Sequence, residues 1–255
     1  MDLHVETSGG GPDLVLLHGW GMNAAVWDDM TTQLTPRFRV HRVDLPGHGF
    51  SAACKPYTAD GMADALTAAL PRRASVCGWS LGGQVALNWA LRHPAQIERL
   101  VLIATTPRFV RDAKWECGIC AGVLEAFVQS LARDYWGTLQ RFVTLQAQGD
   151  ADMRTVRRRL RGKLLEHGTP DLVALTAGLR LLQETDLRGR LAHVMQPALI
   201  VHGECDTLAP SAAGAYLQRT LPRAVLKTIA GAAHAPFIAQ PRRVARHITE
   251  FCGGK

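Results

Sequence analysis

The sequence predicts an α/β fold in which a mostly parallel central sheet carries helices on both faces and one helical segment is inserted between the strands. Three observations predict it. Short apolar runs bounded by Gly, Pro or charged residues recur along the chain, as expected of strands buried on both faces of a parallel sheet. Helical patterns lie between these runs, and this alternation is typical of a doubly wound sheet. From about residue 107 to residue 185 the strand pattern disappears and only helical spacing remains.

The predicted elements follow in order along the chain. The strands are the apolar runs at residues 14–17 (LVLL), 74–77 (ASVC), 100–103 (LVLI) and 198–201 (ALIV). Helices are predicted over residues 59–70 and 81–93. Pro71 and Pro94 stop them, because a residue that precedes proline is disfavoured in the helical conformation.

The helical segment interrupts one core and does not follow it. The apolar residues near its start have the spacing of one helical face: Leu124, Phe127, Val128 and Leu131. The strand pattern resumes after the segment ends. We therefore predict an α/β core of residues 1–107 and 186–255, with a helical cap of residues 108–185 inserted into it.

Length, composition and charge restrict the class of protein. The 255 residues are 47% hydrophobic and 20% charged, without repeats or low-complexity tracts. The N-terminus lacks a basic stretch followed by an apolar run, and no apolar run approaches the roughly 18 residues of a membrane span. We therefore expect a cytoplasmic protein, and its net charge of +7 favours an acidic partner.

The six cysteines are scattered and too few for the disulfide framework of a small secreted domain, so we expect reduced thiols. Cys117 and Cys120 form a CxxC pair, but the sequence lacks the second pair that a zinc site of this kind uses. We interpret the pair as packing or chance.

The segment Gly78-Trp79-Ser80-Leu81-Gly82 matches the G-x-S-x-G pattern. A predicted strand precedes it and a predicted helix follows it, which is the strand-turn-helix context of a nucleophile elbow. Side chains at Gly78 or Gly82 are expected to collide with neighbouring backbone in such a sharp turn. Ser80 is therefore the candidate nucleophile.

A serine hydroxyl needs an adjacent base at neutral pH, and the base needs a third group that fixes its tautomer. In folds with a nucleophile elbow, the order along the chain is serine, then acid, then histidine, which leaves His234 and His247 as candidates for the base. His247 lies in a helical pattern, whereas His234 lies in a loop of small residues. The loop after the strand at 198–201 offers Glu204 and Asp206 as the acid. Asp206 is preferred because it matches the G-x-x-D pattern of such folds.

The oxyanion of an acyl-transfer intermediate needs two backbone N–H donors. The residue after the nucleophile supplies one, here Leu81. The segment His18-Gly19-Trp20-Gly21 follows the first strand directly, so the Trp20 N–H is the predicted second donor. The indole of Trp20 is a candidate lining of an acyl pocket, although packing explains such an aromatic equally well.

Several segments resemble the pimeloyl-[acyl-carrier protein] methyl ester esterases of biotin synthesis, a family of α/β-hydrolase fold. Four carry the likeness: HGWG at 18–21, DLPGHGFS at 44–51, GWSLGG at 78–83 and HAPFI at 234–238. The first three recur in looser form in many α/β-hydrolases. Trp20, Trp79 and the cap segments RFVTLQ at 141–146 and TDLR at 185–188 narrow the match, which covers nearly the whole chain.

The resemblance implies a carboxylesterase that removes the methyl ester at the far end of a pimeloyl chain carried on acyl-carrier protein, releasing methanol. Phe142, Leu145 and Gln146 share one helical face by spacing, which fits either an acyl channel or cap core. The family uses this stretch to contact substrate, together with residues matching Trp20, Ser80, Leu81 and His234.

A basic cluster without intervening acids lies in the cap: Arg154, Arg157, Arg158, Arg159, Arg161 and Lys163. Such a run is usually a solvated helix face. The resemblance implies that Arg141, Arg154 and Arg158 dock the acidic carrier protein. Gly137 stands where the family has a further arginine, so the docking geometry differs here.

The residues leave other functions open. A broad short-chain carboxylesterase and a C–C bond hydrolase or lyase use the same fold, and a non-catalytic binding protein is a third class. Ser80 excludes an aspartate nucleophile. No metal or other cofactor is needed for this chemistry, and we expect a monomer that binds neither membrane nor nucleic acid, since the arginine cluster has no interleaved aromatics.

Overall fold

The computed structural model describes residues 2–254, which fold around a seven-stranded sheet. The strands are β1 Val5–Gly9, β2 Asp13–Leu17, β3 Arg39–Val43, β4 Ala74–Trp79, β5 Ile97–Ile103, β6 Ala198–Gly203 and β7 Ala224–Ile229. Their order in the sheet is β1-β3-β2-β4-β5-β6-β7. Among the strand pairs of this sheet, within residues 2–254, only β1–β3 is antiparallel, so the predicted mostly parallel sheet is confirmed.

The helices are α1 Asp28–Leu34, α2 Ala59–Ala69, α3 Leu81–Arg92, α4 Ala121–Arg133, α5 Tyr135–Ala147, α6 Met153–Lys163, α7 Leu172–Glu184, α8 Ser211–Thr220, α9 Pro236–Ala239 and α10 Pro241–Cys252. Helices α1 to α8 lie between strands, as expected for parallel neighbours, and α9 and α10 follow β7. Helices α2 and α3 end where the prolines predicted. Among residues 2–254, no helix combines the length and hydrophobicity needed to cross a bilayer.

The four apolar runs of the sequence form the centre of the sheet, in β2, β4, β5 and β6. Their side chains are buried on both faces, which explains why they lack polar alternation. The strands β1, β3 and β7 were not among the predicted elements. Two of them, β1 and β7, lie at the sheet edges and keep exposed side chains, so their sequences carry no continuous apolar run.

Four helices, α4 to α7, lie between β5 and β6 and are called the helical insertion below. Three of these helices have an aspartate N-cap whose side chain accepts a backbone N–H of the first turn: Asp134 for α5, Asp152 for α6 and Asp171 for α7. The division into a core of 1–107 and 186–255 with a cap of 108–185 stays a prediction.

Candidate active site

A sharp turn between β4 and α3 holds Ser80. Its backbone has φ 56° and ψ −117°, a conformation that non-glycine residues rarely adopt. A Cβ at Gly78 would lie 2.3 Å from the Gly82 carbonyl oxygen, and one at Gly82 would lie 2.4 Å from the Leu17 oxygen. These close backbone approaches explain why the sequence has glycine on both sides of the serine.

The structure brings together the three residues predicted to form the triad. Ser80 Oγ lies 2.9 Å from His234 Nε2, and His234 Nδ1 lies 2.8 Å from Asp206 Oδ2. Ser80 and His234 are 2% and 1% exposed, so water is largely excluded from the pair that would exchange a proton.

Backbone hydrogen bonds hold the Asp206 carboxylate in the orientation that faces the histidine. Its Oδ1 accepts the backbone N–H groups of Leu208 at 2.9 Å and Ala209 at 3.0 Å, which leaves Oδ2 to accept from His234. The competing Glu204 instead accepts the Gly231 N–H at 3.0 Å. The loop therefore presents Asp206, and not Glu204, to the imidazole.

His247, the other histidine considered for the base, lies in α10 as its helical pattern predicted. Its Nδ1 is 3.8 Å from Glu250 Oε2, on the same helix. The structure thus places the two candidate histidines in different environments, and only His234 contacts Ser80.

The two predicted oxyanion donors have free backbone N–H groups. Within residues 2–254, neither the Trp20 N–H nor the Leu81 N–H donates to a protein acceptor. Leu81 begins α3, where N–H groups have no partner inside the helix and the helix dipole favours negative charge. The loop that carries Trp20 passes close to the nucleophile elbow at Gly19, where a Cβ would lie 3.3 Å from Ser80 Cβ.

A buried histidine supports the loop that carries Trp20. His18 Nδ1 donates to the Gly19 carbonyl at 2.8 Å, and His18 Nε2 accepts the Leu45 N–H at 2.9 Å. Burial, and next the neighbouring His48, lowers the pKa of His18 to about 3. The imidazole is therefore neutral at physiological pH, which is the form that can both donate and accept.

The Trp20 side chain is fully buried and joins the α/β core to the helical insertion. Its indole N–H donates to the Leu175 carbonyl of α7 at 2.8 Å, and its ring meets the edge of Phe142 of α5 at 4.7 Å between centroids. Helix α7 can approach because it has Gly178 at this point, where a Cβ would lie 2.8 Å from Trp20 Cδ1. Sequence reasoning missed Gly178, since a glycine inside a helical pattern does not show what it contacts.

The remaining predicted pocket residues lie on α5, but they are not equally buried. Phe142 is 5% exposed and Gln146 fully buried, whereas Leu145 is only partly buried. Neither polar atom of the Gln146 side chain has a hydrogen-bond partner among the described residues. A buried amide without partners costs about 1 to 3 kcal/mol, so this group is a candidate for contact with a ligand.

The end of α5 also holds the loop that carries the base, a role the sequence did not reveal. The His234 N–H donates to the Gln146 carbonyl at 3.3 Å, and the Ala233 N–H donates to Asp150 Oδ2 at 2.9 Å. Trp79 adds a third tether, from its indole N–H to the His234 carbonyl at 2.8 Å. The only sequence signal was the Gly149-Asp150 turn, which indicates a helix end but not its partner.

The predicted docking arginines are all on the surface of the helical insertion. Arg154 and Arg158 lie on α6, are exposed, and have no carboxylate oxygen within 4.0 Å among residues 2–254. Arg141 on α5 is 3.4 Å from Asp134. Arg161 donates to the side chain of Gln140, so the arginine-bearing face of α6 borders α5 next to Arg141.

Gly137, where an arginine was expected, is adapted to its own helix start. Its N–H donates to Asp134 Oδ1 at 2.9 Å, and a Cβ would lie 2.0 Å from the other oxygen of that carboxylate. A larger residue at 137 would therefore push aside the Asp134 carboxylate that caps α5.

Comparison with known proteins agrees with this geometry. The Alpha/beta hydrolase family model matches residues 14–247. A pimeloyl-[acyl-carrier protein] methyl ester esterase of Nitrosomonas europaea is 47% identical over 241 residues, covering 94% of this chain and 96% of the relative. One of Chromobacterium violaceum is 44% identical over 250 residues, covering 98% of each.

Solved structures show the same fold. An esterase from Exiguobacterium antarcticum superposes with a TM-score of 0.89 at 20% identity, covering 99% of this chain and 96% of that one. An enol-lactonase from Burkholderia xenovorans superposes with a TM-score of 0.85 at 25% identity, with 99% and 96% covered. The likeness to the first of these shows the architecture alone.

Proposed function

The chain belongs to the alpha/beta hydrolase family and, within it, to the pimeloyl-[acyl-carrier protein] methyl ester esterases, and from this membership we propose that it frees the ω-carboxylate of pimeloyl-[acyl-carrier protein] methyl ester in biotin synthesis. The observation that carries the proposal is the continuous hydrogen-bonded path from Ser80 through His234 to Asp206 beneath the helical insertion.

The geometry fits acyl transfer through a covalent intermediate. Ser80 Oγ attacks the ester carbonyl while His234 Nε2 takes its proton, and Asp206 stabilises the imidazolium that forms. The N–H groups of Leu81 and Trp20 stabilise the negative charge on the tetrahedral oxygen. His234 then protonates the leaving methoxide, methanol departs, and water attacks the acyl-enzyme by the same route, without a metal or other cofactor.

The path for the acyl chain is assigned to the aromatic contacts between core and insertion. A cavity of about 450 Å³ lies between α4 and α5, with Arg141 and Phe127 in its lining. The Phe127 ring meets the edge of Phe142 at 5.4 Å between centroids, and Phe142 in turn meets Trp20. These contacts connect the arginine-bearing surface to the oxyanion loop, so we assign Phe142, Leu145 and Trp20 to the apolar chain.

Gln146 is assigned to the polar end of the substrate. Its buried amide lacks partners, and its backbone carbonyl accepts the N–H of His234, which places the residue beside the base. A ligand ester offers an acceptor to the amide N–H group. Contact with substrate would satisfy a group that is otherwise buried at a cost.

The carrier protein is assigned to the arginines of α5 and α6. Arg154 and Arg158 are exposed cations without local acidic partners, so they are available to an acidic surface. Charges of this kind act mainly on association rate and on its dependence on salt. Arg141 borders both this surface and the cavity. We further propose a cytoplasmic monomer, in keeping with a carrier-bound substrate.

The test compares two substrates with one set of variants. Hydrolysis of pimeloyl-[acyl-carrier protein] methyl ester and of a short p-nitrophenyl ester is measured for the wild type, for Ser80→Ala, and for Arg154→Ala/Arg158→Ala. Arg219→Ala/Arg223→Ala is the matched control, since it also removes two exposed arginines, but from the surface of the α/β domain outside the helical insertion.

We expect a strong preference for the carrier-bound ester, which Arg154→Ala/Arg158→Ala reduces by about tenfold in kcat/KM while the short ester is unaffected. The control pair should change neither. If the short ester is preferred and Arg154→Ala/Arg158→Ala changes the hydrolysis of neither substrate, the chain is a general carboxylesterase. Residual turnover in Ser80→Ala equal to that of the wild type would contradict the mechanism itself.

A further inference from the structure

Three potential metal ligands meet where the edge of the sheet touches the helical insertion. His4 lies just before β1, Glu6 lies within β1, and His167 lies in the loop between α6 and α7. One donor atom from each lies within 4.8 Å of the others. The proposed esterase chemistry uses none of the three.

The spacing fits a shared cation better than direct hydrogen bonds. Glu6 Oε1 lies 3.4 Å from His4 Nε2 and 3.5 Å from His167 Nε2. N–H···O hydrogen bonds usually measure about 2.7 to 3.2 Å between heavy atoms. Ligand atoms about 2.1 Å from a tetrahedral zinc ion are about 3.4 Å from one another, which is close to both distances.

Asp44 orients His167 so that Nε2 faces the other two ligands. Nδ1 lies 2.9 Å from Asp44 Oδ2 and can donate to that carboxylate, which leaves Nε2, on the side of Glu6, to bind a metal. Asp44 is fully buried and also accepts the N–H groups of Ala24 and Phe50. A carboxylate behind a ligating histidine is the usual second layer of a zinc site, where it fixes the ring and raises its basicity.

The other two ligands are positioned with one side left open. The backbone N–H of His4 donates to Ser51 Oγ at 2.8 Å, and Arg42 contacts Glu6 Oε2, which leaves Oε1 for the shared point. The side chains of His4 and Glu6 are 32% and 33% exposed, so solvent can supply a fourth ligand. Phe50 packs against the ring of His167 and covers another side.

We propose that His4, Glu6 and His167 form a binding site for one divalent transition-metal ion, for which Zn²⁺ is the natural probe. Two imidazoles and one carboxylate suit Zn²⁺, Co²⁺ or Ni²⁺, whereas Mg²⁺ and Ca²⁺ prefer oxygen ligands. The ion would join the edge strand to the insertion, and it stabilises the fold as any ligand of the native state does.

The test is zinc binding by untagged protein, read by calorimetric titration and by the melting temperature. All proteins carry Cys117→Ser/Cys120→Ser, so that the CxxC pair cannot supply thiolates. His4→Ala, Glu6→Gln and His167→Gln each remove one ligand. His93→Ala is the matched control, because His93 is a partly exposed histidine that pairs with Asp64 outside the cluster.

We expect one Zn²⁺ per chain, a melting temperature raised by Zn²⁺ but not by Mg²⁺, and at least about tenfold weaker binding in each ligand variant. His93→Ala should bind as the parent does. Because His167 is buried, its variant is the one most prone to misfold; His4→Ala, at a partly exposed position, then decides. Equal zinc binding by His4→Ala and the parent would overturn the proposal, whatever the esterase activity.

Discussion

Replacing Asp206 by asparagine tests the triad most sharply, because the structure dictates how the amide must sit. The position of Oδ1 accepts two backbone N–H groups, from Leu208 and Ala209. Asparagine must place its carbonyl oxygen there, since its NH₂ group would face two donors and forfeit about 1 to 3 kcal/mol for each buried group left unpaired. The NH₂ group is then directed at His234.

That orientation gives the histidine the wrong tautomer. Facing an NH₂ donor, His234 Nδ1 must accept, so the proton moves to Nε2, which faces Ser80. A protonated Nε2 has no lone pair for the serine proton. The corresponding change in a serine protease lowers kcat about 10⁴-fold, or about 5.5 kcal/mol, and we expect a loss of that order here.

The assay is steady-state hydrolysis of the p-nitrophenyl ester by Asp206→Asn, with urea unfolding to verify that the fold is intact. Glu204→Gln is the matched control in the same loop and should retain kcat within about threefold, because it weakens only the contact to the Gly231 N–H. A folded Asp206→Asn protein with more than about a tenth of wild-type kcat would refute the tautomer argument.

Three further changes follow from the buried contacts. Gln146→Leu should raise the free energy of unfolding by about 1 to 3 kcal/mol, because it removes an amide without partners, and raise KM for the carrier-bound ester; a stability loss in urea would contradict this. Gly178→Val should destabilise by about 1 to 3 kcal/mol by crowding Trp20, whereas Gly162→Ala, whose Cβ meets nothing within 4 Å, should stabilise by up to about 1 kcal/mol; equal melting temperatures would contradict it. Burial lowers the pKa of His18 to about 3, so between pH 3 and pH 6.5 the histidine is protonated only in the unfolded state. The free energy of unfolding is therefore unaffected by this group above pH 6.5 and falls by about 1.4 kcal/mol per pH unit below it. Urea midpoints at pH 7.5 and 5.5 should therefore diverge less for His18→Asn than for the wild type, and equal divergence would show that His18 is not the group that titrates.

The sequence predicted the middle of the sheet because burial on both faces leaves a continuous apolar run. The edge strands left no such trace: β1 reads VETSG and β7 reads AVLKTI, with exposed residues in each. Their strand conformation depends on backbone pairing with β3 and β6, and pairing places little demand on side chains. Edge strands are therefore harder to predict from composition than central ones.

The sequence indicated the candidate triad for a different reason, which is that the fold fixes the order of such residues along the chain. The sequence favoured Asp206 over Glu204 only through the G-x-x-D pattern, because both lie in one loop and the physical reason for the choice, which side chain the backbone N–H groups hold, is visible only in the structure. Asp150 was not predicted from the sequence at all. It contacts Ala233 across 83 positions, and no local pattern reports a contact of that kind.

These contacts change how the helical insertion should be understood. Helix α5 carries Phe142 and Gln146, which we propose contact substrate; the Gln146 carbonyl accepts the N–H of His234, and Asp150, just beyond the helix, accepts that of Ala233. A movement of α5 therefore displaces the base loop as well as the pocket wall. Under the proposed function, replacing the insertion to alter substrate range would also remove the acceptors of the His234 and Ala233 N–H groups, so substrate contact and the position of the base would depend on one helix end.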